Sequence, residues 1–184
     1  SLVFYLGIKG RMKDVLHHNL FFDADFKIHS EEIYTSKKWP TDPLFYMSAP
    51  SMTDDSVAPD GHENLFILIP IAPDLEDTEA IREHYFSRVL ERIKMITGED
   101  LQDRIVYKRS YCVKDFKADY HSFQGNAYGL ANTLRQTAFM KPKMKSRKLD
   151  NLYFTGQLTV PGPGIPPALI SGQIVAREVM KKYA

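Results

Sequence analysis

The stretch "NLYFTGQLTVPGPGIPPALISGQIVAREV" (residues 151–179) decides how the rest of the chain is read. It starts with strand character and ends with helix character. Between the two stand four prolines and three glycines, Gly156, Gly162 and Gly164. Pro166 and Pro167 suit the first turn of a helix, where a missing N–H costs nothing and φ is already set. Gly162 and Gly164 remove side chains, so a flat ligand can lie against bare backbone. Ser171 and Gly172 keep the first helical turns slim. A helix start of this kind favours partial negative charge through its N–H groups and dipole, and Lys181 and Lys182 complement the far end. "GPGIPP" opens like the dinucleotide fingerprint G-x-G-x-x-G, but Pro167 stands at the third glycine and no second strand completes a βαβ unit. That reading is rejected. What remains is a stiff strand-to-helix corner, either purely structural or built to face a ligand.

Outward from the corner, "SLVFYLGIKG" (residues 1–10), "HHNLFFDADF" (17–26), "LFYMSAPS" (44–51) and "NLFILIPI" (64–71) read as short strands rich in aromatic and β-branched residues. "IYTSKKWPTDP" (33–43) reads as a turn-rich connector, and Pro-Asp-Gly at 59–61 as a tight reversal. Residues 77–96 carry the clearest helical signal. Ile81, Tyr85 and Val89 form one i, i+4 row and Phe86, Leu90 and Ile93 the next, with Gly98 as a stop. "RIVYKRSYCVKDF" (104–116) returns to strand character, "QGNAYGL" (124–130) is a loop, "NLYFTG" (151–156) a strand, and residues 166–183 an amphipathic closing helix. The fold class expected is α+β: a mostly antiparallel or mixed sheet, one long covering helix and a terminal strand–helix pair.

Composition bounds the function. With 184 residues, 43% hydrophobic and 26% charged, the chain should pack a core rather than stay disordered. A net charge of +1 gives no case for nucleic acid as a partner. The run "MKPKMKSRK" (140–148) reads as a solvated loop, with anionic lipid as the alternative. The lone Cys112 excludes an internal disulfide, and a reducing, cytoplasmic setting is the default. Its strand-like surroundings suggest a buried structural thiol. His17 and His18, read as strand neighbours, should point to opposite faces, so no metal is expected. "TDDS" (53–56) reads as turn chemistry, and Trp39 as a packing or lid residue.

The corner resembles the flavin-contacting tail of the phytoene desaturase family, FAD-dependent carotenoid oxidoreductases. That tail runs Gly-x-x-Thr-x-Pro-Gly-x-Gly-(Val/Ile)-Pro, here Gly156, Thr159, Pro161, Gly162, Gly164, Ile165 and Pro166. "HHNLFF", "DPLFYMSAPSMTDDSVAPDGHENLFILIPIAP" and "SFQGNAYGL…QTAFMKPK" resemble further landmarks of that family in family order. Two positions depart from the pattern: Gln157 replaces a small residue, and Pro167 replaces what is often Gly.

The resemblance implies FAD as cofactor, with Gly156, Gln157, Thr159, Gly162, Gly164, Ile165, Pro166 and Ala168 at the cofactor and the corner under the pyrimidine edge of its ring. It implies desaturation of an isoprenoid or carotenoid polyene such as phytoene, with hydride passing to the flavin. It names no catalytic residue. Related saturases, isomerases and oxygenases share such tails, and a flavin-free isoprenoid- or lipid-binding module is the alternative from another class. The resemblance also implies two parts. Residues 1–135 would belong to the substrate domain and 136–184 to the return into a Rossmann-like FAD domain, whose N-terminal portion would precede Ser1. A lipid-soluble substrate is compatible with peripheral membrane contact, and an apolar flavin-facing edge with self-association.

Overall fold

The computed structural model describes residues 1–130, 136–137 and 140–183. The chain divides into two compact units, Ser1–Asn126 and Ala127–Ala184. The boundary expected after residue 135 adjoins residues 131–135, and the landmark at 136–143 includes residues 138–139. Both of these stretches lie outside the described residues.

The first unit is a five-stranded sheet in which every neighbouring pair is antiparallel. Strands β1 (Leu2–Lys9), β2 (His18–Phe21), β3 (Phe45–Ser48), β4 (His62–Ile69) and β5 (Ile105–Tyr111) run in the order β2-β3-β4-β1-β5. The period of two along each strand sets its faces. Leu2, Phe4, Leu6 and Ile8 of β1 stand opposite Ile69, Ile67, Leu65 and Glu63 of β4, and all eight are buried. Met47 and Phe45 continue this face onto β3, and Phe21 stacks on Phe45 with ring centroids 4.2 Å apart. Helix α2 (Glu79–Thr97) covers it with Tyr85, Phe86, Val89 and Ile93, Phe86 lying 4.9 Å from Phe4 between centroids. The expected apolar rows of this helix are thus the ones that meet the core. Thr78 caps its start by accepting from the Ile81 N–H (3.3 Å), and Gly98, at φ +76°, ends it.

The opposite face of the sheet carries an apolar patch among polar residues such as His18, Ser48, Asn64 and Arg109. Leu20, Tyr46 and Leu68 lie in one row across β2, β3 and β4, and Tyr5 pairs with Phe66 across β1 and β4. Tyr5 and Phe66 approach to 5.4 Å between ring centroids, and Leu20 and Tyr5 are exposed.

Glu63 is the polar exception on the buried face. Its carboxylate accepts from Ser51 Oγ and from the Met12 N–H (3.1 Å), and Arg11 Nε lies 3.1 Å away. The Pro-Asp-Gly reversal closes with His62 N–H donating to Pro59 O at 3.0 Å.

Three local expectations are corrected. The connector at 33–43 is partly helical: α1 (Phe26–Ser30) runs into a π-helical segment, Glu31–Ser36. Asp25 caps α1, accepting from the Lys27 and Ile28 N–H groups at 2.7 and 3.2 Å. Tertiary bonds fasten this helical stretch to the residues after it: Glu32 accepts from the Thr41 N–H (2.8 Å), and His29 Nδ1 from the Leu44 N–H (2.8 Å). Second, the strand expected over 104–116 stops at Tyr111, and α3 (Val113–Tyr120) succeeds it. Asp115 starts that helix by accepting from the Cys112 N–H at 2.8 Å, a capping arrangement that overrides the strand-like composition. Third, "NLYFTG" forms no strand. Only Tyr153 pairs, in one bridge with Lys145, flanked by bonds from Phe154 N–H to Met144 O and Ser146 N–H to Leu152 O. An extended segment with so short a partner has no ladder to join.

A buried charge cluster ties α2, β5 and α3 together. Arg82 donates from Nε and Nη2 to the two Asp77 oxygens at 2.7 Å each, from Nη2 to Asp115 (2.7 Å), and from Nη1 to Ser110 Oγ (3.1 Å). Asp77 also accepts from the Lys114 N–H at 2.8 Å. Burial pushes the Asp77 carboxyl up, but its bonds from Arg82 and Lys114 outweigh this and hold it below the usual carboxylate range. Next to it, burial raises the Cys112 thiol to about 11, so this sulfur is a structural, protonated group.

A carboxyl with a lowered folded pKa contributes stability that is present above the pKa of the unfolded aspartate and lost as pH falls through the folded value. Acid titration of unfolding, followed by circular dichroism, should therefore show stability declining below about pH 4. Asp77→Asn should blunt that decline. At neutral pH it should cost about 3 kcal/mol in urea denaturation, because it leaves the Arg82 charge with Asp115 as its only carboxylate.

Candidate functional site

The second unit holds the corner and helix α4 (Ile165–Tyr183), which starts one residue before the expected Pro166. Pro166 and Pro167 fall in its first turn, where proline is tolerated. Gly156, Gly162 and Gly164 have φ of +102°, +143° and +109°, conformations that side-chain-bearing residues rarely adopt. The glycines are therefore required by the bend itself, before any ligand is considered.

The bend is held by Ser171, which is fully buried. Its Oγ accepts from the Gly156 N–H at 2.7 Å, donates to Ala168 O at 2.7 Å and lies 2.7 Å from Thr155 Oγ1. Thr159, also buried, donates from Oγ1 to Gly156 O (2.9 Å), and its N–H donates to the same oxygen at 3.1 Å. Gly156, Thr159 and Ala168 are thus joined through one knot. Gln157, Gly164, Ile165 and Pro166 lie on the exposed side, with Ile165 78% exposed. Gly129, from the "QGNAYGL" loop, backs the corner: at φ +84°, a side-chain carbon there would collide with Leu158. Exposed Leu158, Ile165, Leu169 and Ile170 make the surface around the bend apolar.

Four of the seven residues from 161 to 167 are prolines, and proline has no N–H. The Ala168 N–H is used by Gly164 O at 3.0 Å. Only Gly162, Gly164 and Ile165 retain amide donors in that stretch, so the helix start is poorer in donors than its dipole suggests.

Lys141 stands beside this donor-poor start. It is 5% exposed, and its Nζ is buried with no hydrogen-bond partner among the described residues. Its tip points at the corner: a carbon added to Gly162 would lie 3.4 Å from Lys141 Cε and 3.8 Å from Nζ. The run at 140–148 is therefore not uniformly solvated, contrary to expectation. Met140, Pro142 and Lys143 are exposed on either side of a buried lysine. An ammonium removed from water without an acceptor is costly to the fold.

Among the described residues, no group of three His, Cys, Asp or Glu side chains could hold a metal ion. His17 lies outside β2, so strand alternation does not separate it from His18, and their rings sit 4.2 Å apart. Each is engaged elsewhere, His17 with Thr53 and His18 with Tyr46. Trp39 is a packing residue, stacked 4.7 Å from Tyr85 and donating to Glu76 O at 2.9 Å. Asp54 accepts from the Ser56 N–H (2.9 Å), as turn chemistry requires. No described helix is long and apolar enough to cross a membrane.

No family model matches the chain. Comparison with curated proteins does find relatives along its whole length. It is 46% identical over 184 residues, all of this chain and 37% of the relative, to a carotenoid 3,4-desaturase of Haloarcula japonica. The chain belongs to the carotenoid and phytoene desaturase family. Similarity at 33% identity extends to a zeta-carotene-forming phytoene desaturase of Myxococcus xanthus, over 96% of this chain and 34% of the relative. The same identity and 96% of this chain relate it to a 4,4'-diaponeurosporene oxygenase of Staphylococcus haemolyticus, of which 36% is matched. The chain thus spans little more than a third of the length of these relatives.

Sequence reasoning placed the corner but missed three residues that shape it: Lys141, Ser171 in its role as a tie, and Thr155. Lys141 had no distinguishing signal, because it sits in a run of similar lysines. Ser171→Ala should leave the Gly156 amide unsatisfied at a cost of about 1–3 kcal/mol. Amide exchange over residues 155–159 should accelerate accordingly, while exchange in α2 stays unchanged.

Proposed function

We propose that this chain forms part of an FAD-dependent oxidoreductase that desaturates a carotenoid or related isoprenoid polyene. It contributes the corner that faces the flavin and an apolar sheet on the substrate side. The observation that carries the reading is the stripped, apolar bend from Gly156 to Ala168 with a buried, unpartnered ammonium beside Gly162. The curated relatives act, by their names, on carotenoid polyenes or their apo-derivatives, which supports the substrate class.

When bound, FAD supplies the redox chemistry by accepting a hydride from the polyene, and the protein supplies position and exclusion of water. Exposed Gly164 would let the ring approach main chain while Gly162, buried against Lys141, backs it; Ile165 and Leu158 would give the ring apolar contact, and Ser171 and Thr159 would hold the bend rigid. Gln157, exposed beside Gly156, is placed to offer its amide to a polar part of the cofactor. Tyr5, Leu20, Tyr46, Phe66 and Leu68 form an apolar face suited to a long hydrocarbon, and such a face is costly to leave wet. That face also supports peripheral contact with a membrane, where such a substrate dissolves.

The corner cannot hold FAD by itself. Dipole assistance is worth about 0.3–1 kcal/mol, up to about 2 when partly buried, whereas micromolar affinity needs about 8 kcal/mol. Residues 1–184 alone should therefore bind FAD more weakly than micromolar in calorimetry and show no turnover. The polypeptide that carries this chain in the cell should purify yellow, or take up FAD, and should red-shift the absorbance of a carotenoid substrate. A colourless protein that cannot be loaded with FAD yet binds isoprenoids would sink the enzyme reading in favour of a lipid-binding module.

A further inference from the structure

The bend has two needs that the established likeness does not explain. Residues 161–167 keep only three amide donors, and Lys141 carries a buried charge that nothing among the described residues neutralises. The two meet at Gly162, whose missing side chain leaves the lysine tip 3.4–3.8 Å from where a Cβ would stand. An added methyl group would only reach ordinary contact with the Lys141 stem, and it is the φ of +143° that reserves the position for glycine.

We propose that Lys141 is the residue that holds the negative charge of the reduced flavin, at the pyrimidine edge of the ring. This rests on the flavin reading above and deepens it. A pyrophosphate is the other anion that FAD could present here, but the surroundings disfavour it. Phosphate sites at helix starts use several convergent amides, and prolines have removed most of those. The walls are apolar, with Leu158, Ile165 and Leu169 exposed around the bend. That environment suits a planar ring bearing one delocalised charge. Two electrons and one proton delivered to the oxidised ring leave one negative charge on it, and charge near this edge is a principal control on flavin electronics. A fixed ammonium therefore favours the reduced over the oxidised form. Without the flavin, the same ammonium is a cost to the fold.

The test uses the complete FAD-loaded polypeptide, with Lys141→Met and Lys141→Arg. Lys141→Met should bind oxidised FAD within about twofold of the parent. It should lose at least tenfold in its preference for the reduced form, read in spectroelectrochemistry as a two-electron potential lower by about 30 mV or more. Lys141→Arg, which keeps the charge, should stay near the parent potential. In the flavin-free protein, Lys141→Met should melt at a higher temperature than the parent, because it removes an unpaired buried charge. An unchanged potential overturns the inference. So does a tenfold loss of oxidised FAD affinity with no shift in potential, which would place the lysine at the pyrophosphate. A Lys141→Met protein that fails to fold overturns it too, by showing that the ammonium was satisfied within the fold. A parent that takes up no FAD removes the flavin reading itself, and the lysine assignment with it.

Discussion

One hydroxyl group holds the bend on which the functional reading depends. Ser171 Oγ receives the Gly156 amide and returns a bond to Ala168 O, so the loop's entry and the first turns of α4 are fastened at one point. Between those anchors the backbone must pass through three glycine conformations with positive φ, and four prolines restrict how it does so. Stiffness and bareness thus have the same cause. The chain gives up side chains and amide donors together, leaving a surface with shape but little polarity of its own.

That deficit gives the buried lysine its meaning. A helix start usually offers anions both a dipole and a set of N–H groups. Here the dipole remains while prolines withdraw most of the N–H groups, and Lys141 stands beside the gap with a full charge. A mobile surface lysine would lose much of its effect to solvent screening. Burial keeps this one strong, and the fold bears the cost of desolvating it.

In the first unit the comparable fastening is Arg82. From within α2 it reaches Asp77, just ahead of the Thr78 cap, the end of β5 at Ser110 and the start of α3 at Asp115. Apolar packing alone would let α2 slide along the sheet, since Val89 and Ile93 make non-directional contacts. The bonds from Arg82 to Ser110 and Asp115, with Asp77 accepting from the Lys114 N–H, fix the register, so the two faces of the sheet keep distinct roles. One is buried under α2, and the other presents Tyr5, Leu20 and their neighbours.

The sequence alone determined what short-range periodicity and stereochemistry can carry. The strand character of β1 and β4, the apolar rows of α2 with Gly98 at its end, and the proline–glycine corner were all legible, because each is encoded within a few residues. Tertiary structure decided the rest. The segment 151–156 looks like a strand yet, among the described residues, pairs only with Lys145, and a strand exists only through its neighbour. Residues 113–116 looked extended until Asp115 capped a helix there, and the 33–43 connector folded on contacts from Thr41 and Leu44. Lys141 is the clearest case. Nothing in "MKPKMKSRK" separates it from its neighbours, because burial and the lack of a partner belong to three-dimensional surroundings and not to residue type.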